Sequence, residues 1–170
     1  MMQMLAAGGM TLLTDHERKA DVDNPRGYCE WEPIKQLPKD PNLIDQAEGK
    51  AVKVITQLLL SVPKGRDYKL IFMERPLPEV LASQDEMLKR RGTSQQVDHA
   101  VLTSAFRDHM KNVTTWLERR EDIPICRMGY RKLIGDGPGC AKEVCDFLGL
   151  DLDVNAMASQ VDSSLYRNRR

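Results

Sequence analysis

The sequence predicts an α/β fold in which a mostly parallel sheet carries helices on both faces. Apolar runs of strand length, such as residues 51–55 (AVKVI) and 69–73 (KLIFM), alternate along the chain with longer segments whose apolar residues recur at helical spacing. The strand candidates are rich in apolar residues, as expected of strands buried on both faces. Alternation of the two element types favours parallel pairing, with ligands beyond the carboxyl ends of the strands.

The individual elements follow from local signals. Helix-forming residues open the chain, and Gly8 and Gly9 end that helix. Pro76 suits the first turn of a later helix, which Gly92 ends, and Thr93 starts the capping box of the next one. In chain order we predict helix 1–7, strand 10–13, a long functional loop over 14–40, short helix 43–48, strands 51–55 and 69–73, helices 76–91 and 93–117, strand 123–128, turn 135–139 and helix 140–148.

Composition and charge exclude several classes of protein. The 170 residues suit one domain, and 41% apolar with 29% charged residues is typical of a soluble globular protein. Lys and Arg together number 25, and Asp and Glu together also number 25. This balance of positive and negative charge argues against a nucleic-acid partner. No apolar run approaches the roughly 20 residues that cross a bilayer, so we expect a cytoplasmic protein without a membrane partner. The four cysteines lack metal-site spacing, and we expect them reduced, with no bound metal.

The segment KLIFMERPLPEVLASQDEML is the most informative part of the sequence. Arg75 ends a predicted strand, a helix begins at Pro76, and Ser83 follows eight residues after the arginine. A guanidinium beside a helix N-terminus suits a phosphate group, because the amides, the helix dipole and the arginine all favour an anion. The same arginine also has a structural alternative, which is an ion pair with Glu74 or Glu79.

This strand–Arg–helix–Ser segment resembles the sulfotransferases that use 3′-phosphoadenosine 5′-phosphosulfate (PAPS), in particular their bacterial members. The resemblance implies that Arg75 and Ser83 bind the 3′-phosphate of PAPS. Lys53, within AVKVITQLLLSVP, matches a lysine near the transferred group, and Tyr130, within GYRKLIGDGPGCAKEVCDFLGL, resembles a tyrosine that contacts adenine. Arg167, in the terminal SSLYRNRR, either approaches the 3′-phosphate or lies in a frayed end.

The resemblance also predicts what the chain lacks. MMQMLAAGGM is similar to the helix that directly follows the phosphate loop of the family, and the helix starts on Met1 without a capping residue. No segment matches GxxxxGK[ST] or the family's Pro-Arg-Ser-Gly-Thr loop. The resemblance therefore implies a P-loop-type parallel sheet whose first strand and phosphate loop are absent. We expect residues 1–170 to form one sulfotransferase-like domain, truncated at its N-terminus.

The acceptor-activating base is predicted to be a glutamate. The segment NPRGYCEWEPIK resembles the acceptor-side loop of bacterial members, and its candidates are Glu30 and Glu32, with Glu30 preferred. In an extended chain the two carboxylates share one face. Sulfuryl transfer needs a base for the acceptor proton and a cation that stabilises charge on the bridging oxygen, which is the role predicted for Lys53. The alternative is that both carboxylates are simply solvated.

The predicted function is transfer of a sulfuryl group from PAPS to a hydroxyl or amine of a small-molecule or carbohydrate acceptor, without a metal. The alternative is a non-catalytic remnant of the fold that binds a nucleotide or a protein. A nucleotide kinase is disfavoured, because no Walker lysine or magnesium carboxylate is found in the sequence. An unpaired strand edge leaves a homo-oligomer open.

Overall fold

The computed structural model describes residues 1–15, 17–21, 24–90 and 99–166. Within these ranges the chain forms helices joined by two short strands and several irregular segments. The elements are α1 (Met2–Ala7), α2 (Thr56–Leu59), β1 (Leu70–Glu74), α3 (Leu77–Arg90), α4 (His99–Arg119), β2 (Ile125–Gly129), α5 (Tyr130–Gly135), α6 (Gly137–Leu148) and α7 (Val154–Ser159), with 3₁₀ helices at Glu32–Gln36, Pro41–Ala47 and Ser163–Leu165.

Strands β1 and β2 form a parallel pair. Their register runs from Leu70 opposite Ile125 to Glu74 opposite Gly129. A parallel pair needs a long crossover, and here α3 and α4 belong to the connection between the two strands. A second parallel contact is the isolated bridge between Leu12 and Ala51. The prediction of a mixed α/β architecture with parallel pairing is thus confirmed in its coarse form.

Both faces of the two-stranded sheet are covered. Side chains alternate along a strand, so neighbouring residues reach opposite faces. On one face, Cys126 and Met128 of β2 join a core with α1, α5, α6 and α7. On the other face, Phe72 of β1 packs against Val113 and Leu117 of α4. A third apolar cluster lies apart in the loop region, and its buried members are Trp31, Ile34, Leu37 and Ile44.

Two predicted elements are wrong in detail. Residues 51–55 were expected to form a buried strand, yet only Ala51 is paired and Ile55 is 45% exposed. The N–H and C=O of Ala51 bond to Thr11 and Leu13, and the pairing continues no further in either direction within the described chain. Residues 10–13 likewise contribute a single bridge residue instead of a strand.

The predicted turn over 135–139 is instead the start of α6. Asp136 is the N-cap of that helix, and its carboxylate accepts a hydrogen bond from the N–H of Gly139. Pro138 occupies the first turn, where a missing N–H costs nothing. The Gly-Pro-Gly sequence therefore serves as a helix beginning, and α5 and α7 are further helices that the sequence did not indicate.

The remaining elements agree with the prediction to within a few residues. The opening helix, the strands β1 and β2, and the helices α3 and α4 lie where expected, and the short helix predicted at 43–48 is the 3₁₀ helix Pro41–Ala47. The predicted stop at Gly92 and the capping box at Thr93 lie outside the described residues. All four cysteines are free, and Cys126, Cys140 and Cys145 are buried as small apolar side chains. Within the described ranges, no helix combines the length and apolarity needed to cross a membrane.

Replacement of Gly8 by alanine is expected to destabilise the protein by about 1–3 kcal/mol through overpacking. A Cβ at this position would lie 2.6 Å from Cγ of Met157 and 3.2 Å from Cβ of Leu152, and Met157 is fully buried, so a shift of its side chain disturbs the surrounding core. Chemical denaturation measures the loss. Gly135→Ala is the control, since its added Cβ meets nothing within 4 Å; equal stability of the two variants would contradict the packing at the α1–α7 contact.

Candidate functional site

A lysine and a glutamate that are 23 residues apart in sequence meet at the edge of the loop region. Nζ of Lys53 donates a hydrogen bond to Oε1 of Glu30 at 3.0 Å and another to the carbonyl oxygen of Tyr28 at 3.2 Å. The loop holds this geometry through its backbone, because the carbonyl of Glu30 accepts bonds from Thr14 Oγ1 and the Asp15 N–H. The structure thus brings together the predicted cation and the preferred base.

Arg18 completes this cluster on the other side of the carboxylate. Its Nη1 lies 3.2 and 3.3 Å from the two carboxylate oxygens of Glu30, and its guanidinium carbon lies 3.4 Å from the centre of the Tyr28 ring. Burial raises the pKa of Glu30, but the hydrogen bonds and charges of Lys53 and Arg18 outweigh burial and lower it overall. Glu30 is consequently ionised at neutral pH and able to accept a proton.

A cavity of about 220 Å³ opens beside the carboxylate of Glu30. Its wall is fixed to the C-terminal part of the chain by Arg26, which bonds to the carbonyl of Gln160 at 2.7 Å and to Asp162 at 3.0 Å. A ligand in this cavity would contact Glu30, which forms part of its wall. The lining residues are Thr14, Arg18, Lys19, Ala20, Arg26, Gly27, Tyr28, Cys29 and Glu30.

The second predicted carboxylate, Glu32, lies in a different environment. It begins the 3₁₀ helix Glu32–Gln36, whereas Glu30 lies in the irregular loop before it. Its Oε2 pairs with Lys35 at 2.5 Å. Its N–H donates to Asp15, which makes Glu32 part of the loop framework. The two glutamates thus pair with different lysines, Glu30 with Lys53 and Glu32 with Lys35.

Arg75 is held by a buried carboxylate. Its Nε donates to Oε2 of Glu79 at 3.2 Å, and Glu79 is fully buried in the first turn of α3. This is one of the two ion pairs that the sequence left open as a structural alternative. Within the described part of the chain, the terminal nitrogens of Arg75 form no hydrogen bond, so only one of its five donors is committed.

Two further side chains converge on Glu79 from distant parts of the sequence. Oε1 accepts from Nε of Arg131 at 2.8 Å, from its Nη2 at 2.5 Å, and from the Tyr166 hydroxyl at 2.6 Å. The bond from Tyr166 lowers the pKa of Glu79 most; burial opposes it, and the bonds from Arg131 and Arg75 lower it further, to about 2. Glu79 is therefore ionised at neutral pH and ties the end of β1 to α5 and the C-terminal segment.

The aromatic residue predicted to contact adenine lies next to Arg75. The guanidinium carbon of Arg75 is 5.0 Å from the centre of the Tyr130 ring and 5.8 Å from that of Tyr166. The two rings meet edge to face with their centres 5.4 Å apart. Ser83 is half-buried on α3, and no hydrogen bond joins it to Arg75 in the described part of the chain. Arg167 lies outside the described residues.

The sequence missed three members of these clusters. Arg18 had no local signal, since its partner lies 12 residues away across an irregular loop. Arg131 and Tyr166 contact Glu79 across 52 and 87 residues of sequence. Hydrophobic periodicity does not indicate contacts over such separations. Among the described residues, no group of three or more His, Cys, Asp or Glu side chains is placed to hold a metal ion.

Comparison of the chain with protein-family models, with curated proteins and with solved structures produced no match in any of the three searches. Functional evidence for this chain therefore comes from two clusters, Lys53–Glu30 and Arg75–Tyr130, and from the resemblance of the motifs that contain them. No hydrogen bond or ion pair joins these clusters to each other within the described ranges.

Replacement of Tyr166 by phenylalanine is expected to make the protein unfold at a higher pH during acid titration. The folded-state pKa of Glu79 is depressed, so its stabilising contribution is complete above its ordinary pKa of 4.5 and is lost as the pH falls towards about 2. Without the Tyr166 hydroxyl that pKa rises, and the loss starts earlier.

Circular dichroism against pH measures this shift. Tyr68→Phe is the matched control, because the Tyr68 hydroxyl is buried and has no hydrogen-bond partner among the described residues. Acid profiles that coincide for wild type and Tyr166→Phe would show that the hydroxyl does not hold the carboxylate.

Proposed function

We propose that this chain binds PAPS and takes part in the transfer of its sulfuryl group to a hydroxyl or amine of a small acceptor. The observation that carries the proposal is the proximity of Arg75 and Tyr130, which are 55 positions apart in sequence and 5.0 Å apart in space. The motif resemblance assigns these residues to the 3′-phosphate and the adenine of one nucleotide. Their contact is what a shared ligand requires.

The donor set around Arg75 suits a phosphate monoester. Its terminal nitrogens have no hydrogen bond within the described chain, its side chain is 26% exposed, and it lies where β1 passes into α3. Ligands of parallel sheets bind beyond this end of the strands. A guanidinium held on one side by a carboxylate and open on the other grips a phosphate without losing much side-chain entropy.

The Lys53–Glu30 cluster supplies the groups that sulfuryl transfer needs. Glu30 lies at the cavity as an ionised carboxylate, the state required of a general base. Lys53 touches the same carboxylate and supplies a cation for charge that develops on the bridging oxygen. The acceptor would occupy the cavity, with its hydroxyl or amine towards Glu30.

A second candidate function is favoured by one observation. Arg75 is ion-paired to a fully buried carboxylate, which is the contact expected if the arginine serves the fold alone. In that case the chain is a non-catalytic domain of the same architecture, which binds another nucleotide or a protein partner. Nucleotide binding separates the two candidates.

Adenosine 3′,5′-bisphosphate is expected to bind at least about ten times more tightly than AMP, because the 3′-phosphate adds charge-assisted hydrogen bonds to Arg75. Isothermal titration calorimetry on the full chain measures both affinities. Arg75→Met should remove the difference while leaving AMP binding unchanged. Equal affinities of the wild type for the two nucleotides would overturn the proposal and leave the non-catalytic candidate.

Glu30→Gln is expected to lower sulfuryl transfer from labelled PAPS to a panel of hydroxylated acceptors by about 10²–10⁴-fold, since it removes the base. Its affinity for adenosine 3′,5′-bisphosphate should stay unchanged, because Glu30 contacts the acceptor side. Glu32→Gln is the matched control, as that carboxylate pairs with Lys35 instead. A loss of the same size in both variants would argue against Glu30 as the base.

A further inference from the structure

Three cationic or phenolic groups meet on one buried carboxylate, and the predicted function uses only one of them. Oε2 of Glu79 accepts a hydrogen bond from Arg75. Oε1 accepts hydrogen bonds from Arg131 and Tyr166. Two guanidinium groups of like charge are thus held around a single anion. Glu79 carries one negative charge, whereas the two arginines that it binds carry two positive charges.

The exposure of the two arginines differs in a way that suggests a binding face. Glu79 is fully buried, whereas the side chain of Arg75 is 26% exposed and that of Arg131 is 56% exposed. The carboxylate therefore lies behind the arginines, away from solvent, and the accessible surface of the cluster is cationic. The rings of Tyr130 and Tyr166 lie against Arg75 and close one side of it.

We propose that Arg131 is a second ligand of the nucleotide's 3′-phosphate and that Glu79 is the positioning residue that holds Arg75 and Arg131 as a two-arginine seat. This inference rests on the proposed function. A phosphate monoester is close to a dianion at neutral pH, so two guanidiniums match its charge better than one. Arginine forks bind phosphate oxygens through paired hydrogen bonds.

The carboxylate has a definite physical role in this arrangement. Two guanidiniums that approach one another repel, and each has several rotatable bonds that must be fixed before it binds a ligand. Glu79 offsets the repulsion and fixes both side chains in advance, which lowers the entropy lost on binding. Removal of its charge should loosen both arginines at once, even with the side-chain shape preserved.

The test is the ratio of the affinities for adenosine 3′,5′-bisphosphate and AMP, measured by calorimetry on the full chain. Arg131→Met should lower that ratio by about ten-fold, the effect of a lost charge-assisted bond, with AMP affinity unchanged. Glu79→Gln should lower it too, whereas Arg131→Lys should restore part of it. A purely structural role would change stability without changing the ratio.

Arg127→Met is the matched control, because Arg127 forms an exposed ion pair with Glu74 on the same two strands at 2.9 Å. If Glu79→Gln or Arg131→Met fails to fold, Arg131→Lys decides, since it keeps a cation beside Glu79 but loses the guanidinium fork and should still lower the ratio below that of the wild type. The inference about Arg131 is overturned if the wild type prefers the 3′-phosphorylated nucleotide and Arg131→Met retains the full preference. That result leaves the proposed function intact. A wild type without any preference overturns both.

Discussion

The buried carboxylate of Glu79 is the contact on which the arrangement of the second cluster depends. A charge removed from water is tolerated only where donors surround it, and Glu79 has Arg75, Arg131 and Tyr166 as donors. These three come from the end of β1, the start of α5 and the C-terminal segment. Because one carboxylate binds all of them, it helps to fix the relative positions of three chain segments that are far apart in sequence.

A comparable constraint operates in the loop region, where the fold offers little regular structure. Glu30 lies among Lys53, Arg18 and the backbone of the loop, and these bonds replace the hydrogen-bond ladder that a strand would supply. A polar network of this kind specifies one geometry, whereas apolar contacts alone would tolerate several. In the wall of the cavity beside Glu30, Arg26 is bonded to Gln160 and Asp162.

The sequence predicted the regular elements that local signals control. The apolar run before Arg75 and the helical spacing of α4 both report burial, and the structure places β1 and α4 accordingly. The run at residues 51–55 failed as a strand because pairing depends on a neighbour, and only Leu12 is a partner within the described chain. Apolar character therefore indicated neither the burial of this segment nor its pairing partner.

The candidate site was predictable only one residue at a time. Lys53, Glu30, Arg75 and Tyr130 were found through motifs, and the sequence offered Glu79 as one partner of Arg75. Contacts across 52 and 87 residues, such as those of Glu79 with Arg131 and Tyr166, leave no trace in local patterns. Such contacts decide whether an arginine stabilises the fold or binds a ligand. The sequence does not show these contacts, so it left both roles open for Arg75.

The short stretch from residue 160 to residue 166 has a mechanical consequence. At one end Gln160 and Asp162 hold Arg26, which lines the cavity beside Glu30; at the other end Tyr166 holds Glu79. The stretch joins the loop that contains Glu30 to the two-arginine cluster. Because both attachments lie between residues 160 and 166, the chain path limits how far the cavity wall can move relative to Glu79.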